Sequence, residues 1–266
     1  MSANHAAFNL IFRFVENYIS PVAGRISSQR HVMAIRDGFI SAMPFMIVGS
    51  FLLVFAYPPF SPDTTWGFAR AWLDLAKEFE GRILTPFDMT MGIMSIYICA
   101  AIAYNLGKHY EKTNQLDPFM CAMLSIMAFL LVAAPKTNGN LPVDSLGGTG
   151  IFTAILVAVY CVEMMRFLKA HNIGIRLPDQ VPPMIKNSFD LLIPVLVVVL
   201  TLYPLSLLIQ HHFDMLIPQA IMAIFKPLVS AADSLPAILL AVLVGHLLWF
   251  AGIHGAAIVS GMLQMF

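Results

Sequence analysis

Residues 191–209 read LLIPVLVVVLTLYPLSLLI, nineteen positions without a charged side chain. The hydrocarbon layer of a bilayer is about 30 Å thick, and a helix needs about 20 mostly apolar residues to cross it. Pro194 and Pro204 interrupt the run, but membrane helices tolerate internal proline better than soluble helices do. The segment therefore reads as a membrane-spanning helix. The same pattern recurs on both sides of it, at 35–57, 89–107, 118–134 and 148–168 upstream and at 235–250 downstream. Composition agrees: 59% of the 266 residues are hydrophobic and only 11% are charged, against roughly 25% charged in soluble domains. The fold class expected is an all-α polytopic integral membrane bundle. Formal net charge is zero, so there is no basic footprint for nucleic acid.

Lysine and arginine alternate along the connections. Taking the segment before the first span as number one, the odd-numbered segments hold ten basic residues and the even-numbered ones five. The positive-inside rule then puts the N-terminus in the cytoplasm. Residues 1–30 carry Arg13, Glu16, Arg25 and Arg30 and have no uninterrupted apolar core, so they do not read as a cleavable signal peptide. Phe8, Ile11, Phe12, Val15 and Ile19 instead recur at helical spacing, as in a helix lying on the membrane surface. Residues 66–80 place Phe68, Trp72, Leu75 and Phe79 on one face, which predicts a second interfacial helix on the outer side. The stretch 212–232 contains Pro218 and Pro227 and reads as a linker between bundles. The organisation expected is an N-terminal interfacial helix over 1–30, a five-span bundle over 31–210, a linker over 211–234 and a further domain opening at 235. The eleven residues after Gly255 are too few to span, so the chain reads as cut short.

Polar chemistry inside the apolar runs is sparse. The heptapeptide 249–255, WFAGIHG, places His254 between Gly252 and Gly255 at membrane depth. Ionisable residues there are costly to bury and mark functional sites, and the glycines let the backbone leave helical geometry and approach a ligand. Trp249 offers a flat apolar face of the kind sugars stack on. Together they point to a polyol ligand. Two plainer readings stand beside this one: His254 satisfied by a backbone carbonyl, and Trp249 as an interfacial belt residue. On an unbroken helix the two side chains would project about 140° apart, so contact with one sugar requires a break at Gly252.

Glu163 is the clearest carboxylate within a span, with Arg166 three residues on, and an i,i+3 pair is its simplest account. Asp88 is expected to cap the second span. His246 lies eight residues before His254 without further ligand-type neighbours in sequence, so no metal site is expected. Cys99, Cys121 and Cys161 share no CxxC spacing and read as small buried hydrophobes. Gly147-Gly148-Thr149-Gly150 lacks the spacing of a phosphate-cradling loop. No catalytic residues and no cofactor are expected. In the proline-rich segment 178–194, Asp179, Lys186, Asn187 and Ser188 read either as a gate or partner-docking surface or as part of a rigid connector stiffened by Pro182-Pro183.

Three ordered blocks resemble one family. They are Gln29-Arg30-His31 with Ala34-Ile35-Arg36-Asp37-Gly38-Phe39, Met43-Pro44 and Gly49-Ser50; Leu177-Pro178-Asp179-Gln180-Val181-Pro182-Pro183 through Asn187-Ser188-Phe189 to Leu192-Ile193-Pro194; and Trp249 through Gly255. The chain resembles the IIC permease of the lactose/cellobiose/diacetylchitobiose phosphotransferase system. That resemblance implies a ten-span homodimer of the bacterial cytoplasmic (inner) membrane. Its first five spans would form the dimerisation scaffold, and the sugar-binding domain would start at 235. It also implies a β-linked disaccharide substrate, phosphorylated on its 6-hydroxyl by the phosphocysteine of a cytoplasmic IIB protein that is served by IIA, with His254 lining the sugar cavity. An essential glutamate of the family lies in a later half that is absent here. Two rivals are an ion-coupled secondary sugar transporter and a fragment that inserts and dimerises without transporting.

Overall fold

The computed structural model describes residues 17, 24–25, 27–136, 139–175, 178, 180–182, 185, 189–230, 239, 242–243 and 245–246. Its helices are α1 (Arg30–Ala56), α2 (Gly67–Asp88), α3 (Met94–Asn114), α4 (Pro118–Ala133), a 3-10 turn (Gly148–Gly150) leading into α5 (Ile151–Ala170), α6 (Leu192–Phe213) and α7 (Ile217–Ser230). Three of these, Arg30–Ala56, Gly148–Ala170 and Leu192–Phe213, are long and apolar enough to cross a membrane. α4 is equally apolar but has only 16 residues, about 24 Å of helix. α3 is 21 residues long and ends in a polar turn with Lys108, His109, Glu111 and Lys112.

α3 is the central rod. Ile98, Cys99, Ile102, Ala103 and Leu106 are completely buried, because α1, α4 and α5 all pack against it. Small residues allow that approach. On α1 the buried stripe is Ala34, Gly38, Phe39, Ala42, Met46 and Gly49, a small-residue spacing of the kind that lets membrane helices come close. A Cβ on Gly38 would sit 2.8 Å from the Ile102 backbone nitrogen, and one on Gly107 would lie 2.9 Å from Cys121 Sγ. Ser41 and Ser50 each donate to the carbonyl four residues back, at 2.7 and 2.8 Å, which satisfies hydroxyls facing an apolar surround. Cys99, Cys121 and Cys161 are free and buried, as small hydrophobes should be.

Gly38 meets Ile102, Gly49 meets Met91 and Gly107 meets Pro118, so α1, α3 and α4 alternate in direction. α5 and α6 continue the alternation, with the end of α5 beside the end of α3 and the start of α6. The bundle thus has an Arg30 end and a Tyr57 end. At the Tyr57 end, Ser95 donates its backbone N–H to Leu146 at 2.9 Å and its hydroxyl to Gly147 at 2.5 Å, joining the start of α3 to the loop before α5. α2 lies there too: Trp72 donates to the Phe55 carbonyl at 3.2 Å, and Tyr57 donates to Glu80 at 2.9 Å. That carboxylate raises the Tyr57 phenol above its ordinary pKa. Phe60, Trp66, Phe68 and Trp72 form a chain of ring contacts, with centroids 5.4–5.9 Å apart. Phe68 and Leu75 stay more than half exposed, which suits the interfacial face read from the sequence.

Two expectations are corrected. The second span starts at Met94 rather than residue 89 and runs on to Asn114; residues 89–93 form turns that fold Gly92 back onto the Asp88 carbonyl. Asp88 therefore ends α2 and caps nothing in α3, whose N-cap is Ile93 without a side-chain bond. The candidate linker 212–232 contains the last two residues of α6 and the whole of α7. The expected sixth span at 235–250 falls largely outside the described residues.

Candidate functional site

The Arg30 end gathers the polar side chains that the apolar rods carry. Glu163, about two turns before the end of α5, is only a quarter exposed. Its Oε1 accepts from His31 Nε2 at 2.9 Å and from the Tyr110 hydroxyl at 2.6 Å, and its Oε2 accepts from Arg166 at 2.6 Å. One carboxylate thus ties the first turn of α1 and the last turn of α3 to α5. Tyr110 is nearly fully buried, and the guanidinium carbons of Arg30 and Arg166 lie over its ring at 5.3 and 5.0 Å from the centroid. A carboxylate at this depth is retained because three charge-assisted hydrogen bonds offset its desolvation.

Beside this cluster lies a cavity of about 440 Å³, between the last turns of α3 and α5 and the start of α6. Its walls include Asn114, Gln115, Met165, Lys169, Asn172 and Asp190. Gln115 and Asn172 end their helices in the left-handed region, at φ 53° and 57°, a conformation amide side chains tolerate better than most. Lys169 Nζ donates to the Gln115 carbonyl at 2.6 Å and pairs with Asp190 at 3.2 Å. The ammonium thereby satisfies a helix-terminal carbonyl and links the turn between α3 and α4 to the head of α6. Asp117 opens α4 by accepting from the backbone of Phe119 and Met120 at 2.8 and 3.2 Å, with Pro118 preset for the first turn. The walls offer amide, carbonyl, carboxylate and ammonium groups, a chemistry suited to holding polar solutes or a polar segment.

The residues singled out in the sequence as ligands, Trp249, Gly252, His254 and Gly255, lie outside the described residues, as do Asp179, Lys186, Asn187 and Ser188. The ends of the latter segment are described: Asp190 is held by Lys169, and Val181 donates its backbone N–H to the Pro178 carbonyl at 3.2 Å. His246 bonds the Val242 carbonyl one turn back at 2.7 Å, the ordinary way a helical histidine is satisfied. Among the described residues no three His, Cys, Asp or Glu side chains converge as metal ligands. The Glu163–Arg166 pair was legible in the sequence; its partners His31 and Tyr110, 132 and 53 residues away, were not, and neither were Lys169 and Asp190 as a pair.

Known proteins share this sequence and architecture. Residues 36–266 match the family model described as phosphotransferase system, EIIC. The chain is 34% identical over 268 residues to a PTS system cellobiose-specific EIIC component of Geobacillus stearothermophilus, an alignment covering 94% of this chain and 57% of that protein. It is 35% identical over 246 residues to a PTS system lactose-specific EIICB component of Streptococcus mutans, covering 90% and 42%. The crystal structure of the transporter ChbC, the IIC component from the N,N'-diacetylchitobiose-specific phosphotransferase system, superposes with a TM-score of 0.71 at 33% identity, over 94% of this chain and 60% of that one. The chain therefore spans between two fifths and three fifths of the length of these proteins.

Proposed function

Because the chain belongs to the phosphotransferase system EIIC family, we propose that it serves a sugar permease of the bacterial inner membrane for a β-linked disaccharide of the cellobiose, diacetylchitobiose or lactose type. The observation that carries this is the agreement of fold and sequence with ChbC over 94% of the chain. In this reading residues 31–210 are the scaffold and dimerisation bundle, 211–234 link it to the next domain, and 235–266 open the sugar-binding domain. His254 hydrogen-bonds the sugar, Trp249 stacks on it, and Gly252 and Gly255 let the backbone bend around it. The Arg30 end faces the cytoplasm, as the basic residues favour. There the segment with Asp179, Lys186, Asn187 and Ser188 meets the IIB phosphoryl donor or gates the path, and phosphorylation traps the sugar. The protein contributes binding and passage; the phosphoryl chemistry belongs to IIB and, behind it, IIA.

Calorimetric titration of the purified chain with cellobiose and diacetylchitobiose tests the site. His254→Ala is expected to weaken binding roughly tenfold, as the loss of one good polar contact does, with thermal unfolding unchanged; unaltered affinity would remove His254 from the site. Uptake that persists without the IIA and IIB proteins and leaves the sugar unmodified would assign the chain to ion-coupled transport instead.

A further inference from the structure

At the Arg30 end both oxygens of Glu163 are committed, Oε1 to His31 and Tyr110 and Oε2 to Arg166. Arg30 is left over. Its guanidinium lies over the Tyr110 ring at 5.3 Å, and among the described residues no carboxylate pairs with it. Beyond a side-chain hydrogen bond with Tyr110, the guanidinium keeps further N–H donors, in the fork geometry that matches a phosphate. Arg166 shares the same ring at 5.0 Å, and His31 follows in the same turn of α1. Lys108 and Lys112, exposed at the end of α3, also lack a carboxylate partner among the described residues. The patch is cationic beyond what its own acids neutralise.

Its depth adds a second argument. Arg30 is exposed and opens a 27-residue apolar helix, so its donors stand where hydrocarbon gives way to headgroups. Along the same helix Ile40, Ile47, Val48 and Phe51 are at least half exposed, an apolar flank on which an acyl chain can lie. We propose that Arg30, with Arg166 and His31 beside it, binds the phosphate of an anionic membrane phospholipid in the leaflet at this end of the bundle. Basic pockets between helices on the cytoplasmic side recognise lipid headgroups in this way. The bound lipid would brace the first turn of α1 against α3 and α5, the three helices that Glu163 already joins. The choice of the cytoplasmic leaflet rests on the orientation proposed above; a measurement in detergent does not, so lipid binding and orientation fail or succeed separately.

Native mass spectrometry of the full chain in detergent, titrated with phosphatidylglycerol or phosphatidylcholine of the same acyl chains, provides the test. Phosphatidylglycerol is expected to bind more tightly, and Arg30→Gln to weaken it about fivefold, the effect of one guanidinium at a membrane surface. Arg82→Gln is the matched control: Arg82 lies over Phe79 at 5.6 Å in the same kind of ring contact, but on α2, and its loss should leave phosphatidylglycerol affinity unchanged. Equal affinity for the two lipids, an equal loss in both variants, or no loss in Arg30→Gln would overturn the proposal. So would sodium phosphate displacing phosphatidylglycerol at matched concentration, which would make the ligand a free anion.

Discussion

Glu163 illustrates how little polar chemistry a membrane bundle needs to fix three helices. Its partners differ in what they risk. Arg166 keeps one exposed flank, whereas Tyr110 is buried and would leave its acceptor short of a donor. Glu163→Gln is expected to lower stability by about 1–3 kcal/mol, below the 3–5 typical of a fully buried pair because the carboxylate retains a quarter of its exposure. Tyr110→Phe removes one hydrogen bond and keeps the ring under both guanidiniums, so a smaller cost of about 1 kcal/mol is expected. Thermal unfolding of the purified variants in one detergent checks the ordering. A larger loss for Tyr110→Phe would mean that the phenol hydroxyl, not the charge of the carboxylate, holds the cluster.

At the level of helices, contact is decided by glycines. Gly38→Ala puts a methyl against the Ile102 backbone, which cannot rotate away, and should cost about 1–3 kcal/mol as overpacking. Gly81→Ala, in the middle of α2 with open space around it, should stabilise by about 0.5–1 kcal/mol through helix propensity. The pair, read by chemical or thermal unfolding, separates close packing from backbone preference. The helices themselves were legible from hydropathy alone, since 35–57, 118–134, 148–168 and 191–209 all became helices within a few residues of those bounds. α3 was misplaced for a physical reason: its central position lets it bury polar and small residues on several sides, and Lys108 to Lys112 extend it beyond its apolar run. Asp88 misled because a carboxylate near a proline signals a cap equally well for the helix behind it and the helix ahead. The polar cluster could not be foreseen, because nothing local links His31 to a glutamate 132 positions on.

For the whole molecule the open quantity is direction across the bilayer. The three native cysteines are buried, so an introduced thiol can be read against a quiet background. Asp63→Cys at the Tyr57 end and Lys112→Cys at the Arg30 end are both at exposed positions. With a membrane-impermeant maleimide, Asp63→Cys is expected to react in intact spheroplasts and Lys112→Cys only after permeabilisation; the reverse pattern would invert the molecule. Helix α4 carries a further consequence. At about 24 Å it falls some 6 Å short of the hydrocarbon it must traverse, and the hollow walled by Gln115 and Leu116 opens where it begins. A bilayer that meets both ends of so short a rod has to thin around it, and aqueous medium then dips inward beside the bundle.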